Sequence, residues 1–123
     1  ETLRPGDVLT HCFHDKNCKL VDDATKLWPI VRDKQRDGVQ FDVGHGWGSF
    51  AWRVARPMLD QGFEPDFLGS DLHSYNTNGP VFDLVTTLEK FLHLGMSLPE
   101  VIRRSTATCA RPLRGKRSAS SGP

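Results

Sequence analysis

The chain has 123 residues, of which 37% are apolar and 25% are charged, and its net charge is +1. This composition excludes a weakly hydrophobic disordered chain, a collagen and a coiled coil. No run approaches the roughly 18 apolar residues of a transmembrane helix, so we expect no membrane partner. The three cysteines form no CxxC pair and leave one unmatched, which favours a reducing, cytoplasmic location.

Charge is distributed unevenly along the chain. No acidic residue follows Glu100, whereas six basic residues do, so residues 1–102 carry a net charge of −5. The main part of the chain therefore lacks a basic stripe, and we expect no nucleic-acid partner. Residues 108–123 are rich in Ser, Arg and Gly and have no apolar period, which predicts a disordered tail.

Three short β-rich runs, at residues 7–13, 39–43 and 67–73, alternate with helical patterns. This alternation is typical of a parallel sheet covered by helices, and no hairpin signal joins consecutive runs. A (β/α)₈ barrel has about 250 residues, so three of its eight units occupy about 94. Residues 1–107 fit that size. The sequence therefore predicts an α/β fold that is part of a TIM barrel, although three units of an open, doubly wound sheet fit equally well.

Local signals indicate where the helices begin. Pro29 lies in the first turn of the first helix, and Ser49 is expected to cap the second, which Pro57 should kink or end early. Asp83 is the predicted cap of the third helix. The sequence SLPE at residues 97–100 is a capping box with proline in its first turn, which predicts a fourth helix.

Each predicted strand carries a titratable side chain near its C-terminal end. These side chains are His11, His45 and Asp71, with His73 two residues further. A lone histidine in an apolar strand is more often a hydrogen-bonded core residue, but a carboxylate there is costly unless it is paired or bound to a metal. Since sites form at the carboxyl ends of parallel strands, the coincidence of three such placements predicts a functional site.

A glycine-rich run, GHGWG at residues 44–48, follows the second predicted strand and precedes a helix, as a phosphate-binding loop would. Its spacing is G-x-G-x-G, which is not the dinucleotide-binding pattern, and no Gly-Lys-Ser/Thr follows. The glycines are instead predicted to let the backbone pass close to a small-molecule ligand, with His45 and Gly46 beside it.

Motifs in all three units share one resemblance. They are THCFH (10–14), FDVGHG (41–46), GSF (48–50), SDLH (70–73), YN (75–76), NGP (78–80) and LGMSL (94–98). Together they resemble the amidohydrolase/deacetylase branch of the metal-dependent amidohydrolase superfamily, whose members are relatives of dihydroorotase. The match covers residues 3–107, and the combination of the glycine-histidine-glycine run with the SDLH run makes it specific. In that family these units would contain barrel strands six, seven and eight.

The resemblance implies a complete (β/α)₈ barrel with two divalent metals, usually zinc. It implies that His11 is the metal ligand of strand six and that Asp71 is the ligand of strand eight, acting also as general base and then general acid. His45, Gly46 and His73 would take positions in the substrate pocket. The family's other ligands, a His-x-His pair, a carboxylated lysine and a further histidine, have no counterpart in this sequence.

The resemblance further implies hydrolysis of a small-molecule amide, such as deacetylation of an N-acyl amino acid or opening of a cyclic amide. The chain would then be an incomplete fragment of the enzyme. The alternative is a non-catalytic β/α fragment or interaction module without an intact metal site. The family pattern stops near residue 107, where the composition changes abruptly, and a shifted reading frame explains this better than a divergent tail. The sequence does not indicate the oligomeric state.

Overall fold

A computed structural model describes residues 2–16 and 19–117. In this part of the chain it contains two strands and five helices: β1 (Val8–Leu9), α1 (Pro29–Arg36), β2 (Gln40–Phe41), α2 (Trp52–Asp60), α3 (Leu84–His93), α4 (Leu98–Ser105) and α5 (Ala107–Arg117). Among these residues, no helix combines the length and the apolar character that crossing a membrane requires.

The first two strands form a parallel pair. Val8 lies opposite Gln40, and Leu9 lies opposite Phe41. The amide of Asp42 continues this pairing by donating a hydrogen bond of 2.9 Å to the carbonyl of Leu9. A parallel pair needs a crossover between its strands, and α1 provides it.

The third predicted strand joins the other edge of β2. A parallel bridge links Asp42 to Phe67. The amide of Val43 donates to the carbonyl of Phe67, and the amide of His45 donates to that of Gly69, both at 3.0 Å. The three segments therefore lie side by side in chain order and run parallel, as the sequence predicts, although the third forms a bridge and no strand.

The strands are also shorter than the predicted runs. His11, Gly44 and Asp71 have φ angles of 62°, 44° and 48°, in the left-handed region. A β-strand cannot continue through such a residue. Each run consequently turns at its C-terminal end, in the residues where the predicted functional side chains lie.

The core occupies one side of these segments, between them and the helices. Its largest fully buried side chains include Phe13, Phe41, Phe63, Phe91 and Met58. The Phe63 ring packs edge-on against Phe41, with ring centroids 5.3 Å apart, and against Phe13 at 6.1 Å. Such edge-to-face pairs add stabilisation beyond the area they bury.

The opposite face of the sheet is partly covered by α5, because Val8, Asp42 and Phe67 line one cavity together with Cys109 and Pro112. Side chains alternate along β2, so that Phe41 lies in the core while Gln40 and Asp42 are partly exposed on the other side. Val8 on β1 is 45% exposed. In a closed barrel this second face would be the interior.

Three of the predicted helix starts are confirmed. Helix α1 begins at Pro29. The carboxylate of Asp83 caps α3 by accepting from the amide of Thr86 at 2.6 Å. The hydroxyl of Ser97 caps α4 by accepting from the amide of Glu100. These caps satisfy amide groups that have no partner inside the helix.

Helix α2 differs from its prediction. Its N-cap is Ala51, whereas Ser49 was expected, and the helix is not interrupted at Pro57 but continues to Asp60. Met58, directly after the proline, is fully buried in the core. Packing of this face outweighs the local preference of proline to end the helix.

Arg104 fixes α4 to the beginning of the third segment. Its guanidinium donates to the carbonyl of Pro65 and to the carboxylates of Glu64 and Glu100, and its own carbonyl accepts from the amide of Leu68 at 3.3 Å. The buried charge of Arg104 is therefore paired, as a guanidinium in the interior must be.

Helix α5 occupies part of the segment that was predicted to be disordered. Buried Thr108 accepts from the guanidinium of Arg103 at 3.0 Å, and the thiol of Cys109 donates to the carbonyl of Arg104 at 3.1 Å. These bonds to α4 order the beginning of α5, so the prediction of disorder is not confirmed for residues 108–117. Residues 118–123, the rest of the predicted tail, lie outside the described residues.

Candidate active site

The carboxyl ends of the three segments meet at residues 44–46, which we call the glycine turn. Its last residue, Gly46, donates a hydrogen bond of 3.1 Å to the carbonyl of Ser70. A Cβ atom placed on Gly44 would lie 2.8 Å from Nδ1 of His11, and one on Gly46 would lie 2.8 Å from Oδ2 of Asp71. The backbone of the turn therefore lies so close to His11 and Asp71 that only glycine fits at these two positions.

His11 is held in one orientation by the glycine turn. Its Nδ1 atom lies 2.7 Å from the carbonyl oxygen of Gly44. Since a carbonyl only accepts, Nδ1 carries the proton and Nε2 is the basic nitrogen. Metal-binding histidines usually donate their second ring N–H to a carbonyl or carboxylate in this way. The geometry of His11 therefore fits a metal ligand.

Asp71 is exposed at the end of the third segment, and its strained backbone is held from below by Asn76. The side-chain amide of Asn76, which is fully buried, donates to the carbonyl of Asp71 at 3.0 Å. Its side-chain oxygen accepts from the amide of His73 at 2.9 Å. A non-glycine residue with positive φ persists only where the surroundings fix it. Asn76 thus positions the loop that carries both predicted site residues.

The structure places His45 in the interior, not in the open pocket position that the sequence predicted. Its side chain is 2% exposed and stacks on Phe50, with ring centroids 4.7 Å apart. Nδ1 lies 2.8 Å from the carbonyl of Gly46, and Nε2 lies 2.7 Å from Nζ of Lys90. Burial, and secondarily the charge of Lys90, lower the pKa of His45. Both ring nitrogens are engaged within the chain, so direct contact of His45 with a substrate is not supported.

His73 remains at the surface of the same loop as Asp71. Its Nδ1 accepts from the amide of Tyr75 at 3.3 Å, and the two rings are 6.0 Å apart. Tyr75 and Trp47 are exposed aromatic residues on the two loops that follow the second and third segments. Each of these two loops therefore carries an exposed aromatic residue, which the sequence analysis did not predict.

The described residues fit a metal centre only in part. Among them, no group of three or more His, Cys, Asp and Glu side chains is placed to hold a metal ion. Zinc sites use at least three protein ligands, commonly mixed histidine and carboxylate. His11 and Asp71 fit as two members of such a set, so any further ligands would have to come from outside the described residues.

Comparisons with known proteins identify relatives of most of the chain. No family model matches the chain. A deacetylase of Brucella anthropi is 37% identical over 106 residues, covering 86% of this chain and 26% of its own length. A deacetylase of Agrobacterium fabrum is 35% identical over 114 residues, covering 93% and 28%, and one of Enterococcus faecalis is 41% identical over 106 residues, covering 85% and 29%. The chain thus spans less than a third of the length of these curated relatives.

Solved structures extend the comparison to the fold. An adenine deaminase superposes with a TM-score of 0.87 at 38% identity, over 93% of this chain and 32% of its own. A dihydroorotase superposes with a TM-score of 0.78 at 34% identity, over 91% and 29%. The fold is that of an α/β segment similar to amidohydrolase TIM-barrel enzymes. Over most of its length the chain is thus similar to members of the amidohydrolase superfamily, which confirms the resemblance carried by its motifs.

Proposed function

We propose that this chain forms part of a metal-dependent hydrolase that cleaves the amide C–N bond of a small molecule. Its relatives named as deacetylases support this reaction class. The structural observation that carries the proposal is the contact of both His11 and Asp71 with the glycine turn at the strand ends. Deacetylation of an N-acyl amino acid and opening of a cyclic amide are the two reactions that we propose.

The proposed cofactor is a divalent metal, zinc, with two ions in the complete enzyme. His11 would bind through Nε2, because its Nδ1 donates to Gly44, and Asp71 would bind through a carboxylate oxygen. When bound, such metals supply a nucleophilic water at neutral pH and polarise an amide carbonyl. The carboxylate of Asp71 would accept a proton from the attacking water and then deliver it to the leaving nitrogen.

The substrate would lie over the glycine turn. Gly46 leaves the space beside Oδ2 of Asp71 open, because any side chain there would meet that oxygen. His73, exposed on the same loop, would contact the substrate. His45 would not contact the substrate but would hold the glycine turn in place through its hydrogen bond to the carbonyl of Gly46.

We also propose that residues 1–107 are the last three β/α units of a (β/α)₈ barrel. The three parallel segments, which lie side by side in chain order, support this, because a (β/α)₈ barrel is built from such units. A cytoplasmic location remains our proposal. It agrees with free thiols at Cys12 and Cys109, among the described cysteines.

One observation favours a second candidate, a non-catalytic β/α module. The described residues do not by themselves assemble three metal-binding side chains. A chimera separates the two candidates. Residues 2–107 replace the matching stretch of the Agrobacterium fabrum deacetylase, and the purified chimera is assayed for metal by atomic emission and for deacetylation. The catalytic proposal expects both metal and activity, whereas a folded chimera without either supports the module.

Asp71→Asn in this chimera tests the proton transfer. It should lower kcat by roughly 10²–10⁴-fold, the usual contribution of a general acid–base group, with only partial loss of metal. Asp23→Asn is the matched control, because Asp23 is a fully exposed partner in a surface ion pair, which contributes little. If Asp71→Asn retains more than about a tenth of kcat with full metal, the proposed role of Asp71 is wrong.

A further inference from the structure

The amine of Lys90 on α3 is directed towards the underside of the glycine turn. Its Nζ atom lies 2.7 Å from Nε2 of His45 and 2.7 Å from the carbonyl oxygen of Pro80. The same atom is 5.9 Å from the centroid of the Phe50 ring. Partial burial lowers the pKa of Lys90. A lysine amine is rarely withdrawn from water unless specific partners replace the water.

These contacts fix the proton positions of the pair. An ammonium group has only donors, so Lys90 donates to Nε2 of His45. Nδ1 of His45 then donates to the carbonyl of Gly46 at 2.8 Å. Stacking on Phe50 restrains the plane of the imidazole ring. The ring is thus held by two hydrogen bonds and one stacking contact, and through its Nδ1 it holds the backbone of the glycine turn.

The second bond of Lys90 reaches a different loop. Pro80 belongs to the loop between the third segment and α3, which also carries Asp71 and His73. Lys90 therefore connects two parts of the site. It bonds directly to the loop that carries Asp71, and through His45 it bonds to the glycine turn, which Asp71 contacts. His11, from the first segment, contacts the same turn.

We propose that Lys90 is a positioning residue of the candidate active site. Through its bonds to His45 and Pro80, it fixes the position of the glycine turn relative to the loop that carries Asp71. It thereby fixes the orientation of the His11 and Asp71 side chains, which contact that turn. The inference rests on the proposed function only for the roles of His11 and Asp71. The hydrogen-bonded arrangement itself is independent of any reaction.

Hydrogen exchange and ring NMR of the full 123-residue chain test this arrangement. Lys90→Met removes both bonds at similar size. It should raise amide exchange of Gly46, which donates to Ser70, by about tenfold or more, as expected for loss of a charge-assisted hydrogen bond. Exchange of Val39, which donates to Lys34 at the end of α1, should not change. Lys90→Arg retains donors and should restore much of the protection, and Lys26→Met, at an exposed lysine, should change neither amide.

An equal rise at Gly46 and Val39 would mean general loss of stability and would overturn the positioning role, as would unchanged exchange at Gly46. A measurement on the unsubstituted chain serves if Lys90→Met does not fold. The ring ¹⁵N signals of His45 must then show a protonated Nδ1 and a bare Nε2, and the opposite tautomer refutes the arrangement. No activity is measured, so failure here leaves the proposed hydrolysis untouched, and failure of the hydrolysis leaves this result standing.

Discussion

Replacing Gly44 with alanine should perturb the glycine turn through two separable effects. The first is backbone strain, because a φ of +44° costs a residue with a Cβ atom about 1–2 kcal/mol. The second is steric. The new Cβ would lie 2.4 Å from Oγ1 of Thr10, 2.8 Å from Nδ1 of His11 and 3.1 Å from Oδ2 of Asp42. Contacts under 3 Å force a neighbour to move, and these neighbours are hydrogen-bonded.

The steric part can be estimated from the bonds that it breaks. The hydroxyl of Thr10 donates to the Asp42 carboxylate at 2.7 Å, and a bond to a charged group contributes roughly 1.5–3 kcal/mol. Gly44→Ala should therefore reduce the free energy of unfolding by about 2.5–5 kcal/mol. Gly62 supplies the control, since its φ is +80° and no described atom lies within 4 Å of a Cβ built there. Gly62→Ala should cost only the strain, about 1–2 kcal/mol.

Urea unfolding of the full chain, followed by tryptophan fluorescence, measures both variants. We expect a difference of about 1.5–3 kcal/mol between them, the contribution of the broken hydrogen bond. The prediction is also supported if the Gly44→Ala chain is already unfolded without urea while the Gly62→Ala chain is folded. Equal free energies of unfolding would show that the turn accommodates a methyl group, and the close approach of His11 to Gly44 would then be wrong.

Three further predictions concern the same end of the sheet. Asn76→Ala leaves the carbonyl of Asp71 and the amide of His73 without their side-chain partner, and should lower the free energy of unfolding in urea by about 2–4 kcal/mol; a loss below about 0.5 kcal/mol would contradict the role of Asn76. His45 has a lowered pKa in the folded state, so its contribution to stability is full above its ordinary pKa of 6.5 and is lost as pH falls from there through the folded pKa. In this window the free energy of unfolding should fall by at most about 1.4 kcal/mol per pH unit, and His45→Gln should flatten its dependence on pH. Zinc titrated into the chain should bind more weakly than about micromolar in calorimetry, because His11 and Asp71 supply two ligands; tighter stoichiometric binding would require a ligand set that we have not identified.

Helix starts were predictable from the sequence where their cause is local. Asp83 and Ser97 cap their helices through bonds to amides three residues ahead, so a short stretch of sequence contains the whole interaction. The predictions of a cap at Ser49 and a break at Pro57 were wrong, because the position of α2 depends on burying Met58 against side chains that are distant in sequence. Local propensity does not contain that packing.

The candidate site was predictable only where its geometry follows from parallel strand pairing in general. Parallel strands place their carboxyl ends together, so the sequence could indicate that His11 and Asp71 approach one turn. It could not indicate the direction of His45. The left-handed backbone at Gly44 and Gly46 breaks the alternation of side chains, and the partner of His45 is Lys90, 45 residues further along the chain.

The third segment is held at its two ends by different parts of the chain. Its partners, Glu64 and Pro65, precede the segment, whereas Asp71 ends it at the glycine turn. A substitution at the Arg104 end therefore changes contacts that Asp71 and the glycine turn do not make. Substitutions that restore stability and substitutions at the candidate site thus fall on separate residues of one short stretch of chain.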